Sequence, residues 1–520
     1  MRAIRWTTTL ILCVLLAASV PAAAAIKLPS LITDHMVLQQ GKPISIWGTA
    51  EPGERVTVTL GKRHDKAKAG DDGKWHVKLR SLKAGGPYEL TVAGASETLT
   101  VADVMIGEVW VCSGQSNMQM AVRSCINAEQ EIAEANYPGI RLFSVPLTVA
   151  GEPQESCGGA WALCSPETVP GFSAAGYFFG RKLHQELDVP IGLINSSWGG
   201  TPAESWTTRE TLEGNELYAP ILERSDKADA DYPANKANYD KAIEEWKKAA
   251  EAAKAEGKPA PQQPGVPRGP NHPWRAAGLF NAMIAPLTNY PIAGAIWYQG
   301  ESNAGRAYQY RDLFRDMIKD WRRAWDVGPL SFYFVQLANF KAQLPEPGDS
   351  DWAELREAQT MTLSLKHTGM AVIIDIGDAA DIHPKDKQNV GLRLALNALA
   401  KDYGRDVTYS GPMYKSKRVK GNEIRLKFAH TDGGLVAAAS PEGDKTLRGF
   451  AVAGEDKRWV WADARIEGRT VIVSSPLVEN PVAARYAWAD NPACNLYNGE
   501  GLPASPFRTD DWPGVTAEAR

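Results

Sequence analysis

The chain has 520 residues, too many for one ordinary core and enough for two or three domains. Its formal charge of −4, with no stripe of Lys and Arg, excludes a general nucleic-acid binder, which needs clustered cations for phosphate. Hydrophobic residues at 44% and charged residues at 23% give the balance of a globular protein, so the 17 Trp stand out. Core and interface packing is their plain use, and sugar contact their special one.

Residues 1–25 read as a secretory signal. Arg2 and Arg5 start it, "TTLILCVLLAASV" is its apolar run and "PAAAA" its small-residue cleavage region. The expected location is therefore secreted or periplasmic. No later apolar segment is long enough to span a bilayer. Once Cys13 leaves with the signal, Cys112, Cys125, Cys157, Cys164 and Cys494 remain, an odd set with at least one free thiol. Cys157 and Cys164 are the expected disulfide of an exported protein, and Cys112 a free core thiol. No C-x-x-C pair and no His/Cys cluster has zinc spacing, so neither a metal nor another cofactor is expected.

Residues 26–103 contain short alternating runs, "RVTVTL" and "KWHVKL" among them, divided by Pro-Gly, Asp-Asp-Gly and Gly-Gly turn signals. They predict a small antiparallel sandwich. Over 104–408 the pattern changes to apolar runs such as "VWVCSG", "IGLINSSWGG", "IAGAIWYQGES", "SFYFVQLANF" and "MAVIIDIGD". Helical periodicity separates them in "SAAGYFFGRKLHQELD", "AYQYRDLFRDMIKDWRRAW" and "NVGLRLALNALAKDYG". This alternation predicts an α/β domain with a parallel sheet and chemistry beyond the C-terminal strand ends. An insertion at about 209–272 begins Ala/Glu/Lys-rich and ends Pro-rich, which predicts a solvated helix and an extended connector. Alternating strands return over 409–520 as a second β region.

Strand-end chemistry begins in "GEVWVCSGQSNMQM", where Ser113 and Ser116 both lie in a small polar turn after a strand. A serine nucleophile needs a base, usually His, oriented by a carboxylate. Of the eight His, His383 alone follows a core strand in a polar loop leading to a helix, and Asp381 lies two residues before it. Two further strand ends offer donors for an oxyanion. "INSSWGGTPAESW" carries Gly199 and Gly200, and "WYQGESN" carries the amides of Gln299 and Asn303 beside Glu301. Any one of these motifs is ordinary turn chemistry. Four together on separate strand ends are not.

These blocks, with "NAMIAPL" and "DIGDAADIHPKDKQNVGLRLAL", resemble the sialate O-acetylesterase family of the carbohydrate-directed SGNH hydrolases. The tail "ARYAWADNPACNLYNG" is similar to that family as well. The resemblance implies a flavodoxin-like α/β/α catalytic domain flanked by β regions, acting without a cofactor on acetylated carbohydrate. It implies Ser116 as nucleophile, His383 as base and then acid, and Asp381 as its partner. The implied oxyanion hole combines the Ser116 N–H, a glycine N–H of Gly199–Gly200 and a side-chain amide. Where the wider superfamily has Gly-Asp-Ser and Gly-x-Asn-Asp, this chain has Gly-Gln-Ser and Gln-Gly-Glu-Ser-Asn. Both Gln299 and Asn303 thus remain amide candidates, with Gln299 favoured at the strand end. Gln115, Glu301, Trp198 and Glu204 are candidate substrate contacts. An acetylxylan or other plant-polysaccharide esterase is the alternative, and a sugar-binding module with Trp198, Trp206 and Trp297 as platform the rival of another class.

Overall fold

The computed structural model describes residues 25–326, 328–439 and 443–520. The segment read as a signal peptide lies outside the described residues except for its last position. Six strands come first: β1 (Val37–Gln39), β2 (Ile44–Thr49), β3 (Arg55–Leu60), β4 (Arg63–Lys68), β5 (Lys74–Leu79) and β6 (Gly85–Ala93). The antiparallel β2–β5 pair stands apart from a sheet in which β3 pairs with β4 and β6. The alternation read from the sequence has a physical outcome here. Val56, Val58 and Leu60 of β3 and Trp75, Val77 and Leu79 of β5 are buried, while the residues between them are wholly or partly exposed.

The next strand, β7 (Thr98–Gly114), is 17 residues long and serves two sheets. Its first half pairs antiparallel with β6, and its second half forms the centre of a larger, mostly parallel sheet. Residues 103 and 104, where the sequence changes character, both lie inside it. After it come β8 (Tyr137–Ser144), β9 (Trp161–Cys164), β10 (Ile191–Ser197), β11 (Gly294–Tyr298), β12 (Ser331–Gln336) and β13 (Thr368–Val372). Their order is β13-β12-β11-β7-β10-β8-β9, parallel except for β9 at the edge. On one side of β7 the chain lays β8, then β9 at the edge, and then β10 in the place between β7 and β8, before it crosses to lay β11 on the other side. The topology therefore reverses at β7, and the crevice beyond its C-terminal end is where such sheets place ligands.

The helices are α1 (Ser116–Gln119), α2 (Ala128–Ala133), α3 (Ala174–Leu187), α4 (Arg209–Glu213), α5 (Ala219–Ala255), α6 (Ala307–Trp325), α7 (Asp351–Met361) and α8 (Lys387–Lys401). They cover both faces of the sheet. Trp110 of β7 packs edge-on against Phe179 of α3, whereas Trp297 of β11 packs against Phe314 and Trp321 of α6. Trp297 pairs with Ser113, three residues from Trp110, so the two indoles lie on opposite faces. Trp206 and Trp297 are fully buried, which removes them from any sugar platform. Truncating Trp297 to Ala would cost ~3–5 kcal/mol of core.

In the insertion, α5 runs 37 residues with Ile221 its one buried side chain and ion pairs such as Lys236–Asp240 along its surface. Residues 258–268 follow without regular structure. At the C-terminal end, Met413–Lys420, Glu423–Ala429, Thr470–Ser474 and Asp463–Glu467 form one antiparallel sheet and Phe450–Ala453 with Ala483–Tyr486 the centre of another. Their core is a second hydrophobic cluster. Arg356 of α7 joins the two cores, its buried guanidinium donating to the carbonyls of Leu337, Ala338, Ala489 and Asp490.

The expected Cys157–Cys164 disulfide is not formed, and all five described cysteines are free. Their side chains have different neighbours. Cys157 Sγ sits 3.8 Å from Ser30 Oγ, and Cys164 Sγ lies buried 4.0 Å from the Ala135 carbonyl. Burial keeps Cys164 protonated, pushing its pKa up to about 12.

Candidate active site

Gly114 ends β7 with φ +135°, and a Cβ there would strike the Tyr298 carbonyl oxygen. Only glycine permits both the turn and that approach. Gln115 then anchors the turn, its N–H donating to Tyr298 O at 2.9 Å, and Ser116 opens the single turn of α1. Ser116 is half-buried at the C-terminal edge of the sheet. Ser113, by contrast, is fully buried inside the strand, so the turn presents Ser116 alone.

The loop after β13 brings His383 to it. His383 Nε2 lies 2.9 Å from Ser116 Oγ, and Nδ1 lies 3.1 Å from Asp381 Oδ1. The same Asp381 oxygen accepts the His383 main-chain N–H at 2.9 Å, which explains how so short a spacing turns the carboxylate back to the ring. That N–H, and then the ring, hold the Asp381 carboxyl below the usual carboxylate range. Some 265 residues of chain thus close on one three-residue relay.

Behind it lies a polar layer of which the sequence marked only Glu301. Asn117 donates to the Ile382 carbonyl at 3.0 Å and to Glu301 Oε1 at 2.6 Å, and accepts from Lys387 Nζ at 2.6 Å. One amide therefore ties the nucleophile turn to the histidine loop, the 301 loop and α8. Lys387 is fully buried, its ammonium 4.9 Å from the Tyr298 ring centre, and burial lowers its pKa to about 7 against the opposing pull of Glu301. Burial likewise raises the Glu301 pKa. Glu301 Oε1 is thus spent on the turn, while its Oε2 has no hydrogen-bond partner among the described residues.

The donor side reverses the preference for Gln299. Its side chain is fully buried, with Nε2 directed to Asn303 Oδ1 at 2.6 Å and Thr201 O at 3.3 Å, while Oε1 accepts from Tyr310. Both amide hydrogens are used within the frame. Asn303 donates to Glu204 Oε2 at 2.9 Å and accepts from Ala203 N and Gln299, leaving its second amide hydrogen. Gly199 abuts Ser116, where a Cβ would stand 3.3 Å from Ser116 Cβ, but its N–H is given to Gln119 Oε1 at 2.7 Å. Gly200, at φ +73° with open space around it, is the exposed glycine of the pair.

Two expected substrate contacts have partners within the protein. Gln115 Oε1 accepts the N–H groups of Gly300 and Ser302, and buried Glu204 accepts from Arg306 Nη2 at 2.6 Å besides Asn303. Trp198 stays half-buried, its main-chain N–H given to Gly114 O. Asn117 was within reach of the sequence, adjacent to the serine. Lys387 was not, because "HPKDKQNVG" reads as a solvated run.

Known proteins give the site its context. A family model described as "Carbohydrate esterase, sialic acid-specific acetylesterase" matches residues 106–256 and 271–400. The mouse sialate O-acetylesterase is 32% identical over 96% of this chain and 97% of its own length, and the human enzyme is 32% identical over 97% of each. The crystal structure of a carbohydrate acetylesterase from Xanthomonas citri superposes with a TM-score of 0.80 at 37% identity, covering 94% of this chain and 100% of that one. The chain belongs to the sialic acid-specific acetylesterase family of carbohydrate esterases and is a carboxylic ester hydrolase.

Proposed function

We propose that the protein removes O-acetyl groups from sialic acid by a Ser116–His383–Asp381 acyl-enzyme mechanism. The observation that carries this reading is the relay itself, 2.9 Å from Ser116 Oγ to His383 Nε2 and 3.1 Å onward to Asp381. Ser116 Oγ attacks the acetyl carbonyl as His383 Nε2 takes its proton. Asp381 holds the imidazole tautomer and steadies the imidazolium. The Ser116 N–H, with Gly200 and the remaining Asn303 amide hydrogen, faces the oxyanion. His383 then protonates the departing sugar oxygen, and water activated by the same ring releases acetate.

The α/β sheet with helices on both faces fits an SGNH-type domain over 104–408, between β regions at 26–103 and 409–520. The N-terminal segment fits export to the periplasm or the medium. Among the described residues no helix is long and apolar enough to cross a membrane. Acetate release from O-acetylated sialic acid, measured beside acetylated xylan, tests the substrate. Several-fold higher kcat/KM on the sialic acid is expected, and a preference for xylan would replace it with the polysaccharide reading.

A further inference from the structure

A cavity of about 290 Å³ opens between the loop after β11 and the insertion, near the ~300 Å³ at which small-molecule pockets begin. Ser302 and Arg306 from the loop after β11 form one wall, and Arg224 of α5 with Arg268 of the connector form the other. The Ser302 N–H bonds Gln115 at 3.3 Å, so this wall begins beside the residue that precedes the nucleophile.

Its charge is unbalanced. Arg306 is paired with Glu204 and Arg275 with Asp229. Arg224 donates to the Arg520 main-chain oxygen, and Arg268 lies 4.0 Å over the Trp274 ring. Among the described residues neither Arg224 nor Arg268 has an ion pair with a carboxylate side chain. Desolvation first, then the nearby Arg306 and Arg268, lowers the Arg224 pKa despite Glu204. Guanidinium groups gathered this way repel one another until an anion joins them, and their forked donors fit a carboxylate. A neutral polysaccharide offers nothing for that charge.

We propose that this cavity is an anion subsite, in which Arg224 and Arg268 hold the carboxylate of an acidic sugar while its acetyl ester lies against Ser116. The assignment rests on the proposed reading of the Ser116 site and adds what selects the substrate. It also gives the insertion a role, since both arginines belong to it.

Calorimetric titration with free N-acetylneuraminic acid, its methyl ester and glucuronic acid tests the subsite without relying on turnover. The wild-type enzyme should bind the acid about tenfold or more tightly than the methyl ester. Arg268→Gln, at an exposed position, and Arg224→Gln should each lose most of that difference and still hydrolyse p-nitrophenyl acetate at the wild-type rate. Equal binding of acid and ester, or unchanged discrimination in both variants, would overturn the proposal. Acid-selective binding that depends on the two arginines, in an enzyme that leaves O-acetylated sialic acid intact, would refute the substrate reading and support the subsite.

Discussion

The two walls of the active site are built on opposite plans. On one, Ser116 is half-buried and His383 and Asp381 are 38% and 43% exposed, His383 holding Ser116 by one hydrogen bond and Asp381 by two, ring and main chain. On the other, Gln299, Asn303 and Glu204 are buried, and each has two or more partners. In the proposed mechanism His383 passes the proton and needs room to do so, while Asp381 only holds the ring. Groups that hold the oxyanion site in place need to be fixed beforehand, because a buried donor left to reorganise gives back the stabilisation it offers. Asn117 belongs to both plans, since it sits beside the nucleophile and reaches the buried layer.

The contrast breaks most plainly at the relay. Ser116→Ala should lower esterase activity about 10⁴-fold or more with Tm changed by no more than about 2 °C, checked by kinetics and thermal melting. A large loss of Tm would mean that the relay also holds the fold. Asn117→Ala should show both effects. Leaving Glu301, Lys387 and the Ile382 carbonyl without their partner should cost ~1–3 kcal/mol of stability. The freed histidine loop should reduce kcat by about 10–100-fold with little change in KM. Wild-type kcat in a destabilised variant would separate the layer from the chemistry.

A third test concerns pH. Burial places the Lys387 pKa at about 7, below its unfolded value, so between these values the folded state holds fewer protons than the unfolded. Stability therefore rises with pH across that window, by at most about 1.4 kcal/mol per unit, and the cost of burying the charge is full below it. Lys387→Met removes this titration. The difference in unfolding free energy between wild type and variant, followed by denaturant titration from about pH 7 to about pH 10, should move toward the wild type. A flat difference would show that Lys387 keeps its ordinary pKa.

What the sequence disclosed follows the same division. Continuous apolar runs of strand length such as "GAIWY", bounded by turn residues, read as strands buried on both faces, and strand-end loops drew attention to Ser116, Asp381 and His383 because polar residues at such ends need a reason. Buried polar bonding left no trace in the pattern. Gln299 and Asn303 are equivalent as letters, and only Tyr310, eleven residues onward, decides whose hydrogens are spent. The length of β7 was equally hidden, because a strand that changes sheets carries no turn signal at the crossing. The disulfide failed because sequence proximity says nothing of which way two thiols face.

The central claim is that Ser116 is the nucleophile, activated through His383. Labelling with a fluorophosphonate, followed by peptide mass spectrometry, tests it most directly. One adduct per chain, on Ser116, should form in proportion to lost activity and vanish in Ser116→Ala. An adduct on another residue, or full activity in a chain labelled at Ser116, would contradict it.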